Sequence, residues 1–308
     1  MKVVTQSVPR QSLQQVLAGN YLEAGEPVLI EGGLQHAAAL RRWTLPFLRE
    51  RFGSMRVPVS IDLPLSAVPY RFCADDHDRE MPLSEFLDLL QSPDGRPCYM
   101  HAILLDQFDT LGQDLEHGHL VGFDTGYRFS QIWIGSRDTR SGLHLDGDHN
   151  LFTQVMGRKH VFLVPPEQSP LVYPLVSDFC KSQVDVEAFA NGRGDARRFP
   201  GFQRALLMEA IVHPGDVLFI PALWWHHLRS LDISISVSHH LTSSFSLLAH
   251  ARLLGSLGPV YGAAVARQFV VEGLLGRKPV LPLYSRRSPG KMLYDFARER
   301  LRAALGRS

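Results

Sequence analysis

Residues 141–159, SGLHLDGDHNLFTQVMGRK, hold His144, Asp146, Asp148, His149 and Lys159 within one short stretch. Side chains alternate between faces in an extended segment, so His144 and Asp146 share one side and Leu143 and Leu145 the other. An imidazole and a carboxylate on one side fill two adjacent corners of a metal's coordination sphere. A second histidine would complete a 2-His-1-carboxylate set, which suits Fe(II) and leaves positions open for other ligands. HxD alone is a weak signal in a chain with 14 histidines.

Support comes from HPGDVLFIPALWWHHLRSL, residues 213–231, with its Pro214-Gly215-Asp216 turn, an apolar run halted at Pro221, and then His226 and His227. Strand neighbours face opposite ways, so only one of these two reaches the metal unless the strand bulges. Lys159 follows Gly157 one strand after the HxD. An inward lysine in an apolar barrel is costly unless paired, which makes a carboxylate ligand its natural partner. Counting by twos from Asn150, Phe152 and Gln154 makes Lys159 inward only if the strand is irregular near Met156 and Gly157.

The elements that must position these residues change character along the chain. The first 120 residues mix helix and strand signals, with QSLQQVLAG and MPLSEFLDLL as helices and PVLIEG, VPVSID and CYMHAILL as strands. From about residue 130, short β-branched or apolar runs broken by Gly, Pro and Asp indicate an antiparallel sandwich or barrel. Residues 176–204 read as a polar insertion between strands. After residue 244 the helical period returns.

The whole chain, 308 residues with a net charge of +1, 45% hydrophobic and 20% charged, has the composition of an ordinary globular protein with a sizeable core. No apolar run of about 18 residues occurs and the N-terminus lacks an h-region, so the expectation is a cytoplasmic protein with no membrane span. Cys73, Cys98 and Cys180 form no CxxC pair and read as reduced packing residues. From Arg277 onward nine Lys/Arg face only Asp295 and Glu299, yet Met292, Leu293, Phe296, Leu301 and Leu305 recur at helical spacing. An amphipathic helix packed on this chain or on a second subunit is favoured over a nucleic-acid contact.

With HLDGDHNLFTQVMGRKHVFLVPPEQSPLVYP and the 182–231 stretch ending in WWHHLRSL, the sequence resembles the JmjC or cupin-like Fe(II)/2-oxoglutarate oxygenases over roughly residues 25–242. Within them it is most similar to the asparaginyl hydroxylases that act on hypoxia-inducible factor. The resemblance implies a mainly β fold with flanking helices, a double-stranded β-helix of jelly-roll type. It divides the chain into an oxygenase domain, 1–244, and a C-terminal helical region, 245–308, through which two copies form a homodimer. By position it makes His144, Asp146 and His226 the Fe(II) ligands and selects His226 over His227. Lys159 would bind the distal carboxylate of 2-oxoglutarate beside Ser141 and Tyr99, with Asn150 and Ser238 near the cosubstrate and Trp225 packed near the metal. O2 is the remaining reactant.

Departures fall on the substrate side. Ser238 stands where an asparagine is usual, His239 and His240 where aromatic residues are, and Asp148 and His149 where amides are. Asp148, His149 and His239 are therefore the candidate substrate contacts. The implied activity is hydroxylation of a protein or peptide side chain. Alternatives are a free amino acid, a small metabolite or a tRNA base as substrate, or a cupin-fold metal-binding protein that is no enzyme. Lysine demethylation is less favoured, because no methyl-lysine cage or chromatin-reading module is visible.

Overall fold

The computed structural model describes residues 3–19, 21–115, 127–241, 247–285 and 287–304. In chain order its strands are β1 (Thr5–Ser7), β2 (Arg10–Gln11), β3 (Val28–Ile30), β4 (Arg56–Ile61), β5 (Asp78–Pro82), β6 (Cys98–Leu104), β7 (Tyr127–Gly135), β8 (His149–Met156), β9 (Lys159–Val164), β10 (Leu207–Val212), β11 (Val217–Ile220), β12 (Trp225–Ser230) and β13 (Ser234–Leu241). They build a small sheet, β1-β10-β9-β12, and a large one, β2-β3-β11-β8-β13-β7-β6-β4-β5. From β8 onward the chain passes back and forth between the sheets, and every pairing among these late strands is antiparallel. This is the jelly-roll winding of a double-stranded β-helix.

Period-two alternation assigns the faces. Phe152, Val161, Leu163, Leu218, Ile220 and Leu228 fill the space between the sheets. Ile132, Ile134, Leu151, Val155, Ile235 and Val237 point outward from the large sheet, into a second core. The helix Leu83–Gln91 buries Leu83, Phe86, Leu87 and Leu90 there, the spacing of one helical stripe. Each such side chain contributes on the order of 2 kcal/mol when removed from water.

The insertion 176–204 is less polar in role than its composition indicates. Phe179, Val184, Val186, Phe189, Phe199 and Phe202 from it are buried with Phe162, Val164 and Trp225 on the outer face of the small sheet. Its aromatic residues are spaced irregularly by turns, which hid them from a periodicity argument.

The C-terminal helices Leu247–Leu257, Pro259–Gln268 and Pro289–Ala304 pack on this same side: Leu253 and Val265 join the outer core, and the Tyr261 hydroxyl donates to Pro174 O at 2.9 Å. Between the last two helices, residues 281–285 run back to the barrel, where Leu283 is fully buried. Met292, Phe296 and Leu301 remain exposed on the last helix, with Leu274 and Leu275 before it. Among the described residues no helix is long and apolar enough to cross a membrane. The three cysteines are unpaired, and burial pushes the Cys98 thiol up to about 12.

Candidate metal centre and cosubstrate pocket

The HxD segment is no regular strand. It is an extended stretch held by single bridges, His144 to His226 on one side and His144 to Lys181 on the other. Leu145 N–H donates to Cys180 O (3.0 Å) and Leu223 N–H to Asp146 O (2.8 Å), so both flanks of the ligand pair are pinned. The expected alternation survives, because Leu143 and Leu145 are buried in the outer core while His144 and Asp146 face the barrel mouth.

One ligand atom from each of His144, Asp146 and His226 lies within 4.8 Å of the others. The two imidazole rings are 4.1 Å apart between centroids, and His226 Nε2 is 3.6 Å from Asp146 Oδ2. Each Nδ1 is placed to donate to a backbone carbonyl, His144 to Gly142 O (3.0 Å) and His226 to Trp224 O (2.9 Å). That arrangement leaves each Nε2 lone pair free, as in metal-ligating histidines. Gly142 has φ +69, and a Cβ there would meet the Tyr70 ring at 2.6 Å, so the carbonyl reaches His144 only from glycine. Burial and the neighbouring His226 push His144 down to about 3. Burial works to raise Asp146, but the adjacent His226 and His144 imidazoles outweigh it and hold the carboxyl well below its usual range. Neutral imidazole with ionised carboxylate is the protonation state that binds a cation, so the donor set fits Fe(II).

His227 faces the other way. It is wholly buried, with Nε2 2.9 Å from Glu187 Oε1, inside a network with Arg140 and Arg229. Glu187 comes from the insertion, and its link to His227 has no signal in the sequence. Trp225, expected near the metal, lies on that outer face too. Its Nε1 donates to Ser169 Oγ at 2.8 Å, and strand alternation turns it away from the side that His226 occupies. It supports β12 from behind and does not line the pocket.

Lys159 alternates with Val161 and Leu163 and points between the sheets. The irregularity that this requires is present: the register of β8 against β13 shifts between Gln154 and Met156, and the turn at Gly157 then carries the chain into β9 of the other sheet. Gly157 has φ +68, and a Cβ there would meet Ile233 O at 2.2 Å. Lys159 is 2% exposed, its Nζ 3.2 Å from the Tyr99 hydroxyl and over the rings of Tyr99 and Phe152 at 5.3 and 5.4 Å. Among the described residues no carboxylate pairs with it. Burial brings its ammonium down to about 7 and raises the Tyr99 phenol above its ordinary value.

Asn150 Nδ2 donates to Ser238 Oγ at 3.3 Å, while Asn150 Oδ1 is buried with no protein partner among the described residues. The Ser141 hydroxyl accepts the Leu228 N–H at 3.1 Å, and the Tyr70 hydroxyl donates to the Ser141 carbonyl. The barrel therefore brings together a metal-type triad, a buried cation without a counter-charge and an amide oxygen without a donor. A dicarboxylate that also ligates the metal would satisfy the triad and the lysine, while the Asn150 oxygen calls for a donor such as a water or a substrate N–H.

The candidate substrate contacts separate. Asp148 pairs with Arg128 through two bonds of 2.7 and 2.8 Å at the mouth. His149 packs on Phe219 and accepts the Ala222 N–H at 3.1 Å, on the strand face opposite Asn150. His239 is hydrogen-bonded to Ser130 Oγ at 2.7 Å, on the outward face with Val237 and Leu241. His240 takes the inward place instead. It shares the face of Ser238, stands opposite Asn150, and stacks on Phe129 with centroids 4.6 Å apart. Its Nε2 is buried without a partner among the described residues. Counting by twos from Ser238 would have selected it.

Comparison with known proteins follows the same lines. A family model described as a cupin-like domain matches residues 14–246. The chain is 31% identical over 226 residues to lysine-specific demethylase 8 of Xenopus tropicalis, covering 71% of this chain and 48% of that protein. It is 28% identical over 264 residues to the bifunctional peptidase and (3S)-lysyl hydroxylase JMJD7 of Homo sapiens, covering 77% and 84%. HSPB1-associated protein 1 of Rattus norvegicus is 40% identical over 111 residues, 35% of this chain and 23% of that protein. The chain thus spans about half the length of the demethylase-named relative. The special likeness to asparaginyl hydroxylases rests on the sequence motifs alone.

Proposed function

Because the chain belongs to the cupin-like domain family, we propose that it is an Fe(II)- and 2-oxoglutarate-dependent dioxygenase that hydroxylates a side chain of a protein or peptide. The single observation that carries this is Lys159, a buried cation with no carboxylate beside it among the described residues, in the same barrel as His144, Asp146 and His226. A structural or binding role for the fold would leave that buried charge uncompensated, at a cost of several kcal/mol. The protein-directed reading is supported by the names of its relatives, one a lysyl hydroxylase and one a lysine demethylase.

His144, Asp146 and His226 would hold the iron, which with 2-oxoglutarate and O2 supplies decarboxylation to succinate and CO2 coupled to hydroxylation of a C–H bond. The chain's own residues do the rest. Lys159 and the Tyr99 hydroxyl bind the distal carboxylate, and Asn150 and Ser238 line the path between that end and the metal. The Gly142 and Trp224 carbonyls fix the tautomer of the two histidines. Phe152, Leu163 and Leu228 keep the chamber dry. No side chain has to act as a strong base.

The helical region beyond residue 244 is the proposed dimer surface, with Met292, Phe296, Leu301, Leu274 and Leu275 exposed on it. A monomeric mass by light scattering at micromolar concentration would reject that assignment. The reaction itself is tested by succinate release from 2-oxoglutarate with Fe(II) and lysine-bearing or asparagine-bearing peptides, with a +16 Da product by mass spectrometry. Absence of both turnover and 2-oxoglutarate binding would leave a metal-binding cupin.

A further inference from the structure

We propose that residues 281–285, beyond the matched family domain, form a strap that seals the carboxylate-binding end of the barrel around Tyr99 and Lys159. The segment is tied at both sides of its crossing. Leu283 N–H donates to Phe72 O (2.8 Å), Ala74 N–H to Leu281 O (3.2 Å), and Pro282 bridges Cys73. From this anchor Leu283, fully buried, joins Leu63 and Tyr99 in a small core against which Trp133 and Tyr284 pack. The Tyr284 ring sets its edge against Tyr99 (6.0 Å) and His101 (5.1 Å), and its phenol is raised well above its ordinary value, foremost by burial. Tyr99 in turn holds Lys159 Nζ at 3.2 Å.

The backbone marks the strap as built for this purpose. Tyr284 sits at φ +64, a left-handed conformation uncommon for a bulky residue, and it persists where surrounding contacts over-determine it. A half-exposed tail would relax by adopting an ordinary turn. Here the left-handed turn aims the ring at Tyr99 while the chain, held by Ser285 N–H on Pro282 O (3.0 Å), turns back toward the last helix. The strap residues supply one wall of the aromatic enclosure, and the barrel alone supplies the others. Sealing that wall keeps water from the Lys159 ammonium, which strengthens a charge-assisted bond to a carboxylate. Leu283 and Tyr284 are thus positioning residues acting through Tyr99.

This inference rests on the reading of Lys159 as the cosubstrate anchor, and two readouts separate their fates. Tyr284→Gly removes the ring while favouring the left-handed backbone, and Leu283→Ala opens the wall from the other side. Limited acylation of the intact protein with acetic anhydride, read by peptide mass spectrometry, compares Lys159 with Lys181, a lysine 9% exposed beside Asp178 that reports general loosening. The strap predicts that Lys159 acylation accelerates about tenfold or more in both variants while Lys181 is unchanged. In the Mn(II)-loaded protein, calorimetry should show 2-oxoglutarate binding weakened about tenfold with Mn(II) affinity retained. Unchanged Lys159 protection, or a rise shared equally by Lys181, would overturn the strap. A wild-type protein that binds no 2-oxoglutarate would overturn the cosubstrate reading, and the acylation contrast would still decide the strap.

Discussion

His144 and His226, 82 positions apart in the chain, exchange both backbone hydrogen bonds, His226 N–H to His144 O at 2.7 Å and His144 N–H to His226 O at 3.0 Å. The two imidazoles are therefore direct cross-strand neighbours whose separation is set by the β ladder and not by flexible side chains. Asp146 completes the triad from the same segment, so the geometry exists before any ion arrives. Such preorganisation cuts the ordering cost of binding.

Asp146→Ala should abolish Fe(II)-dependent turnover and weaken Mn(II) binding by about a hundredfold or more. Its side chain is 38% exposed, so the apolar core is untouched and the thermal midpoint should fall little. Calorimetric titration with Mn(II) and a melting curve of the metal-free protein check both halves.

The two adjacent histidines should behave oppositely. His227→Ala strips Glu187 of its closest imidazole inside a buried network, and loss of one partner of such a cluster costs roughly 3 kcal/mol. Mn(II) affinity should stay within a few-fold. His226→Ala should lose the metal while keeping most of the stability. Urea denaturation alongside Mn(II) titration distinguishes them, and a His227→Ala protein that loses metal at full stability would contradict the assignment.

The late strands and the His144–Asp146 pair were legible because they depend on period-two alternation and on the spacing of a few polar residues, while the choice of His226 over His227 came from the family resemblance. Two steps depended on tertiary context. Lys159 is inward because β8 is irregular between Gln154 and Met156 and the chain changes sheets at Gly157, so parity counted along the sequence leaves its face conditional on that irregularity. Of the adjacent pair, the sequence reading favours His239 as the pocket residue, whereas β13 turns His240 inward with Ser238 and His239 outward with Val237. Glu187 and Leu283 lie in irregular segments, where no period exists to show what they face.

Lys159 predicts a pH signature. Its folded pKa of about 7 lies below the unfolded value of 10.5, so the unfolded chain binds more protons between these limits. The burial penalty is fully present below pH 7 and is relieved as pH rises toward 10.5. It amounts to roughly 5 kcal/mol at most. Lys159→Met should therefore stabilise the metal-free protein, by an amount that shrinks at up to about 1.4 kcal/mol per pH unit above 7. The same variant should weaken 2-oxoglutarate binding by about a hundredfold. In wild type, the carboxylate favours the charged lysine, so affinity should decline with pH above 7 as binding takes up a proton. Denaturation from pH 6.5 to 9 and calorimetry in buffers of different ionisation heat measure these effects.

His239 and His240 offer the sharpest separation of packing from recognition. His239→Ala removes a buried hydrogen bond to Ser130 on the outward face and should cost about 1–2 kcal/mol with KM for a peptide substrate unchanged. His240→Phe keeps a ring to stack on Phe129 and removes a buried nitrogen that has no partner among the described residues. An unsatisfied buried polar atom costs about 1–3 kcal/mol, so this variant should be more stable than wild type. A histidine that the fold would be more stable without has its use in what enters the pocket. Peptide KM should rise, or succinate release should uncouple from hydroxylation, by about tenfold, the scale of one lost polar contact. A His240→Phe enzyme that is stabilised and keeps its KM and coupling would show that the residue only packs the chamber wall and does not read the substrate.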